Sequence, residues 1–119
     1  MVDTPASGAT APLKPVPHLA LLLLAEEPTY GVRLMERLEE RSDGAIRLNA
    51  GSLYRMIANL VDIGLVEPLA TASEPEGVGA PKKVYGVTAA GLAALRAEAR
   101  RQQRLLDAAR ALDLLEERG

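Results

Sequence analysis

The sequence predicts a mainly α fold with a small β-hairpin. Apolar residues recur at helical spacing in successive short segments, and two short strand-like segments flank a Pro/Gly-rich stretch. After that hairpin, the final stretch of about 30 residues contains no proline. The 119-residue chain is nearly half hydrophobic and a quarter charged, as in an ordered globular domain. With no Phe and no Trp, its core has to be built from Leu, Val, Ile and Ala. A domain of this size buries only about 60–70% of its unfolded surface, so further burial against a second chain is expected to help it.

The elements follow in order. Residues 1–14 mix Pro, Ala, Ser, Thr and Gly without periodicity and read as a flexible N-terminal tail. "PVPHLALLLLAEEP" is a helix apolar on every side, with Pro17 suited to its start and Pro28 to its end. His18, the single histidine, reads as a surface residue at the helix start and not as a metal ligand. In "PTYGVRLMERLEERSDG" Thr29 is the expected N-cap and Gly44 the expected stop. Val32, Leu34, Met35 and Leu38 form the apolar stripe, and the charged residues read as a solvated face laced with pairs along the helix. The third helix starts at Asn49 and ends at Gly64, burying Leu53, Ile57, Leu60 and Val61. Arg55, Ala58, Asn59 and Asp62 lie on the opposite face, with Ser52 and Tyr54 at its flanks.

"LVEPLA" and "KKVYGVT" are short strands joined by the long loop "TASEPEGVGAP", and Pro68 confines the first of them to a sheet edge. From Thr88 onward the chain reads as one helix of about 30 residues, roughly 45 Å long. Its stripes, Leu92, Leu95, Ala99, Leu106 and Ala109 beside Leu105, Leu112 and Leu115, suit packing on a partner helix. Three compact helices, a hairpin and a long helix make a winged helix-turn-helix plus a long C-terminal helix. The division is residues 1–14 as tail, 15–87 as winged helix-turn-helix DNA-binding domain and 88–119 as dimerisation helix.

Cysteine is absent, which excludes disulfides and thiolate metal sites. The longest apolar run, "HLALLLLA", has about eight residues against the roughly 20 that span a bilayer. A cytoplasmic protein without a signal peptide, membrane association, metal or cofactor is expected. No Gly-rich phosphate loop or convergent carboxylates suggest catalysis. The formal net charge is −2, so any nucleic-acid contact has to be local.

With these residues placed, the sequence resembles the PadR-like family of transcriptional regulators over about residues 17–95. "LALLLLAEEPTYGVRLMERLEER" is similar to the family's first two helices. "LNAGSLYRMIANLVDIGLVE" resembles its recognition-helix block, with the typical "GSLY" start and "GL" end, and "APKKVYGVTAAGLAAL" its return strand and "Y-x-x-T-x-x-G" helix entry. The resemblance implies a homodimer built by the C-terminal helix, through Leu92, Leu95, Ala99, Leu105, Leu106, Ala109 and Leu112. Arg55 stands where the family often has Pro and adds a cation to the first turn. The chain also lacks the Trp that lines the drug pore of some small multidrug-responsive members.

The residues themselves make the case for DNA. A recognition helix presents its N-terminal turn to base edges in the major groove, where residues must be small or carry donors. In "NAGSLYR" Gly51 and Ala50 are small. Asn49, Ser52 and Tyr54 offer polar groups, and Arg55 suits guanine or phosphate, with Asn59 one turn on. Thr29 and Tyr30 open the preceding helix as backbone-contact candidates, and Lys82 and Lys83 belong to the wing. Tyr54 also reads as a core-edge tyrosine, and Arg55 as a plain surface arginine. The expected function is a homodimeric repressor that binds double-stranded DNA at a pseudo-palindromic operator and is released by a small apolar effector. The alternative is a winged helix used for protein–protein interaction.

Overall fold

The computed structural model describes residues 12–72 and 82–115, without the side chains of residues 70–72 and 82. Seven elements follow in order: α1 (Pro15–Glu26), β1 (Thr29–Tyr30), α2 (Gly31–Arg41), α3 (Ala50–Asp62), β2 (Val66–Ala72), β3 (Lys82–Val87) and α4 (Ala89–Ala111). The expected winged helix-turn-helix with a long C-terminal helix is present. Most of the expected tail and wing loop, and the last four residues, fall outside the described residues.

The core is aliphatic throughout. Leu21, Leu23 and Leu24 of α1 meet Leu34 and Leu38 of α2, Leu53, Ile57 and Leu60 of α3, and Val66 of β2, with Ala94 and Leu95 of α4 closing one side. Each fully buried Leu contributes about 1.5–3 kcal/mol of transfer free energy. The all-round apolarity of α1 is explained by its place among α2, β3 and α4, with only Leu22 of its central leucines well exposed.

Several expectations are corrected. Thr29 is not a helix cap: Thr29 and Tyr30 form a strand that pairs antiparallel with β3, Thr29 opposite Tyr85 and Tyr30 opposite Val84. Tyr30 is then the N-cap of α2, without a side-chain cap bond. The sheet has three strands in the order β1-β3-β2, which leaves β2 at an edge. Pro68 occupies it as expected and is followed by a register shift before Thr71.

The charged face of α2 is not simply solvated. Arg37 donates to Glu26 at 2.8 Å and Arg41 grips the same carboxylate at 2.9 and 2.6 Å, fastening α2 to the end of α1. Only Arg33 pairs along its own helix, with Glu36 at 3.3 Å.

The ends of α2, α3 and α4 follow one pattern, whereas α1 ends in extended backbone at Glu27. Gly64 ends α3 in the left-handed region, with its N–H donating to Val61 and that of Leu65 to Leu60. In α2 and α4 the same double closure places Asp43 (φ 54°) and Asp113 (φ 64°) in that conformation. Asp tolerates it better than most residues with a side chain. The stop of α2 is thus Asp43, one residue before the expected Gly44. Helix α4 has 23 residues, about 35 Å, and not about 30 residues, because the Asp113 closure ends it.

Candidate nucleic-acid interface

The first turn of α3 is built by its own side chains. Asn49 has extended backbone and its Oδ1 accepts from the Ser52 N–H at 2.8 Å, so its carboxamide oxygen is spent on capping. A helix leaves its first amides without intrahelical partners, and the Asn49 cap occupies one of them. Arg55 lies back across the turn, its Nη2 donating to Ser52 Oγ at 3.3 Å. Its Nη1 is 3.6 Å from where a Cβ of Gly51 would be, so the guanidinium passes close over this small residue. Arg55 and Asn59 are exposed on the outer face and Ser52 is half-buried.

Tyr54 is 44% exposed, and its ring lies over Gly31, the first residue of α2. A Cβ at Gly31 would stand 2.6 Å from Tyr54 Cζ and 2.8 Å from Cε1, closer than atoms pack. The glycine of the Tyr-Gly pair and the tyrosine of "GSLY" are therefore one contact across the helix-turn-helix.

Beside α3, strand β3 carries Lys83 and Tyr85 on one face, and these line a groove of about 250 Å³ with Tyr54, Ala58, Asp62 and Pro68. Burial, and then the nearby Tyr54 phenol, push the Tyr85 phenol above the ordinary tyrosine range. Tyr85 was not among the expected site residues. The signal for it was the alternation of β3, which sends it to the same side as Lys83.

Most of the remaining central cations are occupied. Arg33, Arg37, Arg41 and Arg47 pair with Glu36, Glu26, Glu26 and Glu39 respectively. Among the described residues of this region, Arg55 and Lys83 have no carboxylate partner, and the two stand on α3 and on the wing. Thr29 does not join them: it is 8% exposed and lies within the sheet. Tyr30 is half-buried in β1. Lys82 opens β3 opposite Ala72. A second groove, of about 420 Å³, is lined by Glu36, Glu39, Glu40 and Asp43 of α2 and its end, and is acidic, although Arg33 and Arg47 pair with Glu36 and Glu39.

The expected dimerisation residues divide in two. Leu95 is buried in the chain's own core. Leu92, Leu105, Leu106 and Leu112 are 38%, 66%, 42% and 69% exposed. Ala99 is exposed and Ala109 half-buried, and Leu105 and Leu106 line an open apolar groove with Gln102. Among the described residues, no helix is long and apolar enough to cross a membrane.

Comparison with known proteins adds a family model, the transcriptional regulator PadR-like family, which matches residues 20–97, from mid-α1 into α4. The chain belongs to the PadR-like family. Its members are transcriptional regulators and, as a rule, not enzymes. A search of curated proteins found no significant match. Among solved structures, a PadR-like transcriptional regulator from Bacillus cereus is similar with TM-score 0.68 and 20% identity, covering 84% of this chain and 92% of that one. A PadR-like transcription factor from Bacteroides fragilis has TM-score 0.66 and 22% identity, covering 81% and 87%. Bacillus subtilis PadR in complex with operator DNA has TM-score 0.60 and 20% identity over 70% of this chain and 46% of that one. At these identities the structures establish a shared PadR-like fold. The family model also frames the motif residues: Gly31, Tyr54, Tyr85, Thr88 and Gly91 all fall within its match.

Proposed function

We propose that this PadR-like protein is a homodimeric repressor that reads a pseudo-palindromic operator with the first turn of α3 and holds the flanking backbone with its wing. The observation that carries this is that Arg55, on the Asn49-capped turn, and Lys83, on the wing beside the groove, both lack a carboxylate partner among the described residues. They stand on the two elements with which a winged helix holds a duplex. If α3 occupies a major groove and the wing the adjacent minor groove, the sugar–phosphate strand between them has to pass over the groove of Tyr54, Tyr85 and Lys83. Two phenols and an ammonium suit its phosphate oxygens, and the Asp62 carboxylate that also lines the groove opposes them. The acidic face of Glu36, Glu39, Glu40 and Asp43 repels phosphate and orients the duplex away from it.

The exposed leucines along and just beyond α4 support a dimer formed on this helix, with Leu92, Ala99, Leu105, Leu106, Ala109 and Leu112 contributing and Leu95 serving its own core. The apolar groove at Leu105 and Leu106 suits a small apolar effector seated between long helices, whose binding would alter the spacing of the reading helices and release the operator.

Fluorescence anisotropy on DNA from upstream of the protein's own gene, at two salt concentrations, tests this reading. Wild type should discriminate against scrambled DNA, and Arg55→Ala should lower operator affinity by about 5–150-fold, the range for one base contact. Lys83→Ala should weaken all sequences alike and reduce the slope of log K against log salt by about 1 per phosphate lost. Absence of salt-sensitive, sequence-dependent binding, both here and with duplexes selected from a random library, would favour a protein-interaction module instead.

A further inference from the structure

Helix α4 begins where α3 ends, and the two are fastened at that point. Helix α3 closes on Gly64, and the Gly64 carbonyl accepts a hydrogen bond from the Thr88 hydroxyl at 2.6 Å. The next carbonyl, that of Leu65, accepts from the Thr88 N–H at 3.0 Å. The same hydroxyl oxygen accepts from the Gly91 N–H at 3.0 Å and so caps α4. Gly91 is buried against this turn: a Cβ there would stand 3.2 Å from the Leu65 carbonyl carbon and closer still to its oxygen and to Val87 Cγ2. One side chain therefore starts α4 and at the same time holds the end of α3.

We propose that Thr88 is the positioning residue that sets the direction of α3 relative to α4, and through it the separation of the two reading helices in the dimer. This rests on the dimeric, DNA-reading function proposed above. The distal half of α4 carries the exposed leucines and the opposite end of α3 carries Arg55, so the orientation of one must be passed to the other. The Thr88 bonds run to two consecutive backbone carbonyls, which cannot swing as a side chain can. The rest of the packed part of α4 is held elsewhere, Ala94 and Leu95 by the core and Glu98 by the Leu13 N–H at 3.1 Å. Loss of the hydroxyl removes the Gly64 bond and leaves the Thr88 N–H on Leu65, so α4 stays in place while the end of α3 is held less rigidly.

Capping and tethering can be separated. Thr88→Asp keeps an acceptor that caps a helix well but has no donor for Gly64. Thr88→Ser keeps both. The probes are duplexes carrying two half-sites of the selected operator at native spacing, or with one base pair added or removed. Each base pair moves a half-site by about 3.4 Å and turns it by about 35°.

Wild type and Thr88→Ser should prefer native spacing by about tenfold or more. Thr88→Asp should remain dimeric by sedimentation and bind a single half-site as wild type does, while its spacing preference falls to about threefold or less. Should Thr88→Asp fail to fold, Thr88→Ala, which also lacks the donor, should show the same loss. A wild-type spacing preference in Thr88→Asp or in Thr88→Ala would overturn the proposal, whatever happens to thermal stability, since Thr88 would then be a cap alone. A wild type that is monomeric or indifferent to spacing would remove the dimeric reading itself, and with it this role of Thr88.

Discussion

Replacing Gly31 with Ala should separate the stability of the domain from the placement of its reading surface. The new Cβ would stand 2.6 Å from Tyr54 Cζ and 2.8 Å from Cε1. Carbon atoms pack at about 3.5–4.0 Å, so the ring has to retreat by about 1 Å or swing aside. Nothing prevents that, because the obstacle is the far end of a side chain that is 44% exposed. Ala gains up to about 1 kcal/mol over Gly in a helix, which offsets much of the lost ring contact. Urea denaturation should therefore show a change within about 1 kcal/mol. Operator affinity should fall by about tenfold, or about 1.4 kcal/mol, because the displaced phenol no longer borders the groove beside Lys83. In a double-mutant cycle with Tyr54→Ala, the binding losses should fall short of additive by about 1 kcal/mol. Strict additivity would refute the reasoning, as would a stability loss above about 3 kcal/mol, which would mean that the ring cannot move.

The same substitution at Gly91 should behave oppositely. There the obstacle is the backbone carbonyl of Leu65, with Val87 beside it, so Gly91→Ala should cost at least about 2 kcal/mol in urea melts. Glu98 accepts from the Leu13 N–H, Arg101 and Gln102, and the Leu13 bond, reinforced by Arg101 and His18 against the opposing effect of burial, holds its carboxyl below the usual carboxylate range. A depressed folded-state pKa gives stability that is present above the unfolded value of about 4.3 and lost as pH falls through the folded value. Glu98→Gln should thus lower stability at pH 7 by about 1–2 kcal/mol and flatten the acid limb of the Tm–pH curve; a curve parallel to wild type would contradict this. Leu105→Glu and Leu112→Glu alter side chains that are 66% and 69% exposed, so both should fold but sediment as monomers. Leu95→Glu should not fold, because it places a charge in the core.

Much of this was legible in the residues. Leu34, Leu38, Leu53, Ile57 and Leu60 recur at helical spacing because one face of each helix must leave water, and they are buried, whereas Val32 of the expected α2 stripe is 47% exposed. Pro68 cannot donate to a ladder, which places β2 at an edge before any neighbour is known. Local chemistry likewise places Asn49 at the start of α3 and Thr88 at the start of α4, since each cap is made within three residues.

What only the tertiary structure decided is where side chains with more than one use are spent. Strand β1 has two residues, too few for any period, and exists because β3 lies beside it. Arg37 and Arg41 have the same local surroundings as a solvated face, yet Glu26, on another helix, engages both. Leu95 carries the same pattern as Leu105 and Leu106, but the domain covers only the first turns of α4, so burial separates them. Among the described residues, Arg55 and Lys83 are set apart from Arg33, Arg37, Arg41 and Arg47 only by what the folded chain leaves unpaired. Periodicity reports which face a residue occupies, because that follows from the geometry of its own element. The partner it meets depends on how elements distant in sequence pack, which no local pattern encodes.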